Sequence, residues 1–387
     1  MEFTDLKAPE PVQGRPPWQD PQWVAAAEDW IGAECARAAM KRTGPAQARA
    51  RPYSVVARVP TGGGTVWFKA SPPAGRFEPA LLVALAAWQP DRFAAPIAVD
   101  LDRGWSLTRD GGQTLREQQS SEPDAGRWPA VLRGYAQLQA DLTRQSAGLL
   151  ALGLADLRPG SVPGQFERLL GDPAITRATD APGGITRGQH EALRALAPRL
   201  REWCAELDDL GIPASVDHAD VHPGNIFAAS GVPFDWGDAA VAHPFSSLLV
   251  GLRTAAEHTR LSPRSPELAV LTTSYLSAWL EAGYSQAAVD RALPLALRIA
   301  PLARALTWGR LFPCYLGHPG PVAHSARALA AMLQPDPLSA GDLLGSDSFS
   351  GSGWSPSATA LGYQRRERDD GGNGAGRVRQ RDGALPA

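Results

Sequence analysis

The strongest constraint on the fold is a turn-forming stretch near the middle of the chain, His218-Ala-Asp-Val-His-Pro-Gly-Asn225. The apolar Val216 precedes it, which predicts that the loop leaves a buried strand. Pro223 holds the residue before it extended and Gly224 tolerates positive φ, so the chain should turn back on itself here. We therefore expect the closing asparagine to return beside Asp220.

A hairpin signal follows directly after this stretch. Asn225-Ile-Phe-Ala and Val-Pro-Phe-Asp235 resemble two short strands around Ala229-Ser-Gly231, a pattern typical of a hairpin. Such a hairpin brings Asp235 back to Asp220. Two carboxylates and one amide in this order suit phosphoryl transfer, in which one Asp accepts a hydroxyl proton while an Asn and a second Asp hold Mg²⁺.

Composition excludes several classes of protein. The 387 residues are enough for two lobes, and the formal net charge of −2 gives no global attraction to nucleic acid or an anionic membrane. The three cysteines are far apart, as isolated thiols in a reducing compartment would be. No signal peptide and no uncharged apolar run of spanning length is seen. We expect a cytoplasmic protein, monomeric or homodimeric, that binds neither nucleic acid nor membrane.

Periodicity and turn signals divide the chain into four parts. Residues 1–41 should form an N-terminal extension with one helix, for which Asp20 is the N-cap. Residues 42–110 combine β-rich runs with one helix, and residues 111–338 carry apolar stripes at helical spacing. Residues 339–387 are rich in small and polar residues and poor in large apolar side chains, so we expect a disordered tail.

The two motifs resemble those of the aminoglycoside phosphotransferase and choline kinase-like superfamily. The family pattern is His-Gly-Asp-x-His-x-x-Asn followed by Ile-Asp-Trp/Phe-x-Asp. Here Ala219 replaces the glycine, and the second motif reads Phe234-Asp-Trp-Gly-Asp238. The resemblance covers residues 42–335. It implies an α+β, two-lobed protein kinase-like fold, with a small antiparallel-sheet N-lobe and a mainly helical C-lobe.

The resemblance also implies roles for single residues. Asp220 matches the catalytic base, and Asn225 and Asp235 match the ligands of Mg²⁺. Lys69 matches the strand lysine that grips the α- and β-phosphates of ATP, and Glu78 matches its partner on a helix. The implied reaction moves the γ-phosphoryl group of ATP to a hydroxyl of a small molecule, an antibiotic or a metabolite.

Three further positions follow from the same resemblance. Residues 107–110 match the interlobe hinge, so Asp110 should border the adenine. The phosphate-covering loop is expected within residues 43–51, which are poor in glycine. His243 and Ser247 stand near positions where the family has aspartates that brace the catalytic loop. We expect His243 to replace that brace by donating a ring hydrogen to a loop carbonyl.

Two other functions remain open. The same residues could belong to a catalytically weak nucleotide-binding pseudokinase, which a measurement of ATP turnover would decide. His218, Asp220 and His222 also alternate, and on a straight strand they would share one face, as in a metallohydrolase. Zinc content would separate that function from phosphoryl transfer.

The acceptor is constrained only by charge. Residues 241–335 carry eight arginines against four acidic residues. A polycationic aminoglycoside prefers an acidic pocket, so this composition does not favour it. A neutral or anionic hydroxylated metabolite is at least as compatible.

Overall fold

The structure, a computed structural model, describes residues 17–51, 54–118, 126–172, 185–262, 265–311 and 319–339. The predicted tail therefore lies outside the described residues, apart from Ser339. Within the described ranges, none of the helices combines the length and the apolar character needed to cross a membrane.

The N-terminal part is built on a five-stranded antiparallel sheet. Its strands are β1 Gln47–Arg51, β2 Ser54–Thr61, β3 Gly64–Ala70, β4 Ala98–Asp100 and β5 Trp105–Arg109. Their order in the sheet is β1-β2-β3-β5-β4. Strand β2 alternates between buried and half-buried side chains along its whole length, as the β-rich run predicts. The turn after it is tight, since Thr61 pairs with Gly64, which has a φ of 114°.

Helix α1, Pro21–Arg37, packs on one face of this sheet. As predicted, Asp20 caps it, because its carboxylate accepts a hydrogen bond of 2.8 Å from the backbone N–H of Gln22. Its apolar stripe shares one hydrophobic core with the sheet, and the ring of Trp30 meets that of Trp105 edge-on at 5.7 Å. The boundaries predicted between the four parts of the chain remain predictions, but α1 and the sheet are one packing unit.

Helix α2, Phe77–Trp88, joins the sheet to the rest of the molecule. It follows β3 and precedes β4, yet its buried residues Phe77, Leu81 and Leu85 belong to the core of the C-terminal part. Its first turn therefore lies where the two parts meet.

The C-terminal part is mainly helical, as predicted. Five of its described helices follow residue 244. The helices are α3 Leu115–Gln118, α4 Trp128–Leu142, α5 Ser146–Ala151, α6 Val162–Gly171, α7 Arg187–Asp209, α8 Leu248–Thr259, α9 Pro266–Glu281, α10 Gln286–Ile299, α11 Pro301–Leu311 and α12 Pro319–Ala331.

A small three-stranded sheet within this part was not predicted. Its strands are β6 Ala155–Leu157, β7 Ser215–Asp217 and β8 Ala240–Ala242, in the order β6-β8-β7. Strand β7 leads into the turn-forming stretch and contains the buried Val216, as expected. Strand β8 begins two residues after Asp238. Both motifs are therefore anchored on neighbouring strands.

We predict that replacing Ile31 with alanine lowers the free energy of unfolding by ~2–5 kcal/mol, because a fully buried side chain of α1 would leave a cavity in the sheet core. Urea unfolding measures the loss. Asp29→Ala, on the exposed face of the same helix, is the control and should change stability by less than ~0.5 kcal/mol. Equal stability of the two variants would show that α1 is not part of the folded unit.

Candidate active site

A cavity of about 240 Å³ lies between the five-stranded sheet and the helical part. Five predicted site residues contribute to its lining: Lys69, Glu78, Asp110, Asn225 and Asp235. The sixth, Asp220, contacts this lining through Asn225. Residues far apart in sequence thus converge on one cleft.

Lys69 is the electrostatic centre of the cleft. Its Nζ lies 2.7 Å from Oε1 of Glu78 and also contacts the carboxylate of Asp235. Glu78 is held in turn by Ser71, whose hydroxyl donates to its other oxygen at 2.8 Å. The predicted pairing of Lys69 with Glu78 is present, although Glu78 stands in the first turn of α2.

These contacts control the charge of each group. Burial alone would lower the pKa of Lys69, but the carboxylates of Asp235 and Glu78 outweigh burial and raise it. Partial loss of water inside the cleft would likewise raise the pKa of Asp235, and the neighbouring ammonium of Lys69 instead lowers it. Lys69 and Asp235 are therefore both charged near neutral pH.

The loop after β7 folds back as predicted. Its turn is a short 3-10 helix, Pro223–Asn225, preceded by the extended His222. The side-chain N–H of Asn225 donates to the backbone oxygen of Asp220 at 3.2 Å and to its carboxylate at 3.1 Å. The amide nitrogen is committed to the loop, which leaves the amide oxygen of Asn225 for other ligands.

The predicted use of positive φ at Gly224 is wrong. Gly224 lies in the 3-10 turn, and its lack of a side chain is needed for space. A Cβ there would lie 2.8 Å from the ring of His222 and 3.1 Å from the guanidinium carbon of Arg116. The left-handed residues of this region are instead Ala219, with φ of 60°, and Asp235, with φ of 64°. Backbone strain of this kind is concentrated at functional sites.

Asp220 is surrounded by potential hydrogen-bond donors. Nε2 of His222 lies 3.5 Å from its carboxylate, and Nη1 of Arg304 lies 3.4 Å from it. The same guanidinium nitrogen donates to the carbonyl of Ala219 at 3.0 Å and lies 3.3 Å from Asp238. Burial would raise the pKa of Asp220, but these neighbours lower it, so the carboxylate stays ionised.

The bonding of His222 identifies its tautomer. Nδ1 accepts from the backbone N–H of Gly224 at 2.9 Å and lies 3.3 Å from the guanidinium of Arg116. Both partners can only donate, so a neutral ring carries its hydrogen on Nε2, on the side of Asp220. The sequence did not single out Arg116 or Arg304, because neither lies in a motif.

The hairpin between the two motifs is confirmed, although its regular pairing is limited to one bridge between Ile226 and Pro233. The backbone N–H of Phe234 donates to the carbonyl of Asn225 at 2.9 Å. This bond holds Asp235, whose side chain is 49% exposed, next to Asn225 at the cleft. An amide oxygen and a carboxylate on one cavity wall are a donor set that suits Mg²⁺.

The sheet side of the cleft contains Asp110 and strand β1. Asp110 borders the cavity just after β5, and its carboxylate accepts from the backbone N–H of Gly112 at 3.0 Å. The prediction of a phosphate-covering loop within residues 43–51 is wrong for the second half of that range, because Gln47–Arg51 forms strand β1.

Comparison with solved structures supports this architecture. The ethanolamine kinase of Plasmodium vivax is similar over 82% of this chain and 90% of its own, with 11% identity and a TM-score of 0.51. The fold is that of a two-lobed kinase. The expected α+β, protein kinase-like architecture is confirmed, with the five-stranded sheet as its N-lobe and the helical part as its C-lobe.

Two further structures show weaker similarity. The macrolide 2′-phosphotransferase of Brachybacterium faecium has 18% identity, a TM-score of 0.49, and coverage of 78% of this chain and 98% of its own. A microcompartment-associated aminopropanol kinase has 18% identity, a TM-score of 0.48, and coverage of 79% and 95%. No protein-family model and no curated protein matches the sequence.

In this fold, the loop that carries Asp220 rests on a buried polar network. Asp217 accepts from the backbone N–H of Ala219 at 2.8 Å and from the hydroxyl of Ser247 at 2.6 Å. Gln139 on α4 donates to Ser247 at 3.0 Å, and its carbonyl oxygen accepts from Tyr275 at 2.5 Å. Ser247 therefore braces the loop, acting through Asp217 from β7.

The bracing role predicted for His243 is wrong. Its Nδ1 accepts from the backbone N–H of Phe245 at 3.3 Å, so it caps the short helix Pro244–Ser247. Its Nε2 is buried without a hydrogen-bonding partner among the described residues. Pro244, at the next position, starts that helix, and the ring of His243 is engaged at its N-terminus.

The metallohydrolase alternative is not favoured by the geometry of the two histidines. Nε2 of His218 lies 2.9 Å from the carbonyl of Phe234, so it must donate its hydrogen there. Nδ1 of His222 is occupied by donors, as described above. Within the described ranges, no cluster of three or more His, Cys, Asp or Glu side chains could hold a metal ion by itself.

We predict a pH dependence of stability from His243. Burial lowers the pKa of His243 to about 3, whereas an unfolded histidine titrates near ~6.5. Between these values the unfolded chain binds a proton that the folded protein excludes. The contribution to the free energy of unfolding should therefore fall by ~1.4 kcal/mol per unit as pH decreases below ~6.5.

His243→Asn tests this contribution, because asparagine retains an acceptor for Phe245 but does not titrate. Urea unfolding at pH values of about 6.5, 5.5 and 4.5 should show a shallower decline for the variant than for the wild type. Parallel curves would contradict the assignment.

We also predict that Ala219→Gly raises the free energy of unfolding by up to ~1 kcal/mol, since glycine adopts left-handed backbone angles without the penalty of a Cβ. Ala36→Gly, on the exposed face of α1, is the matched control and should lower it by ~1 kcal/mol. Thermal unfolding compares the two, and destabilisation by both variants would argue against strain at Ala219.

Proposed function

We propose that the protein transfers the γ-phosphoryl group of ATP, bound with Mg²⁺, to a hydroxyl of a small molecule. The main support is the convergence of Lys69, Asn225 and Asp235 on one cavity, with Asp220 hydrogen-bonded to Asn225. These are the residue types that kinase-type phosphoryl transfer requires, on elements that can hold them in place. The kinase fold alone would not specify this reaction.

Asp220 would accept the proton of the acceptor hydroxyl. A base must be unprotonated before the reaction, and the donors around Asp220 keep it so. His222, with its hydrogen on Nε2, faces the carboxylate and restricts its orientation. Arg304 ties the same carboxylate to Asp238, so the base is held from two sides.

Asn225 and Asp235 would hold Mg²⁺. The side-chain N–H of Asn225 points to Asp220 and leaves its oxygen available, while the carboxylate of Asp235 reaches the cavity and pairs with Lys69. When bound, the metal neutralises charge on the phosphate oxygens during transfer. Lys69, oriented by Glu78, would bind the nonreacting phosphates.

The acceptor is proposed to be a neutral or anionic hydroxylated compound. The excess of arginine in residues 241–335 supports this choice in part. Arg291 is already paired with Glu206, but Arg304 stands directly beside the proposed base. Arg116, near the same loop, adds a second guanidinium on the cavity wall. We further propose a cytoplasmic location, in which ATP is available.

The reaction is tested with the purified protein, Mg–ATP and a panel of hydroxylated metabolites and antibiotics, with ADP release as the readout. We expect acceptor-dependent ADP release with at least one member of the panel. Slow, acceptor-independent ATP turnover would favour the pseudokinase alternative. Failure to bind any nucleotide, with or without Mg²⁺, would overturn the proposal.

Two substitutions test the assigned roles. Asp220→Asn should reduce turnover by about 10²–10⁴-fold with little change in nucleotide affinity, because it removes only the proton acceptor. Asp235→Ala should abolish the Mg²⁺ dependence of nucleotide binding. Asp102→Asn, in an exposed turn of the N-lobe, is the control and should behave like wild type. Equal loss of binding in both site variants would contradict the assignment.

A further inference from the structure

We propose that Arg49 and Arg51 of strand β1 bind the polyphosphate of the nucleotide, in the place of a glycine-rich phosphate loop. This inference rests on the proposed function, because it concerns the same cleft. It adds a phosphate-binding element that the motifs do not contain.

The register of the sheet places Arg49 in line with Lys69. Arg49 pairs with Val56, and Val56 pairs with Lys69. Paired residues of neighbouring strands point to the same face, and all three line the cavity. Arg51 lies two residues further along β1, on the same face, and also lines the cavity together with its pairing partner Ser54.

The two arginines can reach a ligand that Lys69 also contacts. Two strand spacings separate β1 from β3, or about 10 Å between backbones. The residue between them, Val56, has a short side chain, so the long side chains of Arg49 and Lys69 can converge above it. A phosphate chain lying over Val56 would have a cation on either side.

The turn between β1 and β2 cannot supply a glycine-based cradle. Kinase-type sites commonly cover the phosphates with a glycine-rich turn, whose backbone N–H groups approach the oxygens closely. The chain here runs Arg51-Pro-Tyr-Ser54, which contains no glycine, and Pro52 has no backbone N–H at all. Guanidinium groups, with several N–H donors in a planar fork, provide the missing hydrogen bonds from side chains.

The distribution of charge in the cleft also favours a further phosphate-binding group. Lys69 is already paired with both Glu78 and Asp235, so it offers little uncompensated charge to an anion. Arg51 makes no ion pair with a carboxylate of the described residues. It therefore contributes positive charge to the lining of the cavity that also contains the proposed Mg²⁺ ligands, Asn225 and Asp235.

Calorimetric titration with Mg–ATP and with adenosine tests the inference. The variant carrying both Arg49→Ala and Arg51→Ala should bind Mg–ATP about tenfold more weakly or worse, because it loses charge-assisted hydrogen bonds to phosphate. Its affinity for adenosine should equal that of the wild type. The salt dependence of Mg–ATP binding should also become weaker in the variant.

Arg103→Ala is the matched control. Arg103 is an exposed N-lobe arginine that lies over the ring of Trp105 and does not line the cavity, so its loss should leave both affinities unchanged. Replacement of both β1 arginines by lysine should restore part of the affinity for Mg–ATP, since charge returns without the planar fork.

The titrations distinguish failure of this inference from failure of the proposed function. If the wild type binds Mg–ATP and the double alanine variant binds it equally well, the inference is wrong and the proposed function stands. If the variant loses adenosine and Mg–ATP affinity to the same extent, the arginines support the fold of the cleft and do not recognise phosphate. If the wild type binds no nucleotide, the proposed function fails and this inference fails with it.

Discussion

The ion pairs of Lys69 with Glu78 and Asp235 hold the cleft together. They connect strand β3, helix α2 and the hairpin of the C-lobe, three elements that no continuous backbone hydrogen bonding unites. A lysine in this position would be costly to bury alone, and two carboxylates together with the hydroxyl of Ser71 compensate for the lost water. The ion pairs of the Lys69 ammonium therefore fix the positions of Glu78 and Asp235, and with them the geometry of the site.

A second network of buried hydrogen bonds supports the loop that carries Asp220. The network from Tyr275 through Gln139 and Ser247 to Asp217 is buried and uses hydroxyl and amide groups between its ends. Such a network has few alternative arrangements, because a broken bond would leave a buried polar group without a partner. The loop is thereby held in its strained conformation, including the left-handed backbone at Ala219.

Sequence reasoning predicted the parts of the site that are local in the chain. The turn that returns Asn225 to Asp220 follows from proline and glycine chemistry, and the pairing of Lys69 with Glu78 followed from the family resemblance. The predictions were wrong where tertiary packing decides the conformation of a residue. Gly224 was assigned positive φ, but the need for space beside His222 explains the glycine instead.

The remaining omissions have the same origin. The strands of the small sheet have three residues each, too short for an alternating pattern to be recognised. Arg304 reaches Asp220 from a helix 84 residues later, and no local spacing indicates such a contact. His243 was expected to brace the loop because of its place in the sequence, yet its ring is engaged in capping a helix.

The position of helix α2 has a consequence for how the molecule responds to stress. Its apolar side chains Leu81 and Leu85 belong to the C-lobe core, whereas Glu78 in its first turn orients the lysine of the N-lobe sheet. The carboxylate that orients Lys69 of the N-lobe is therefore held in place by a helix that packs in the hydrophobic core of the C-lobe. If heat or a cavity far from the cleft weakened the packing of that core, the first effect at the site would be displacement of the Glu78 carboxylate from Lys69.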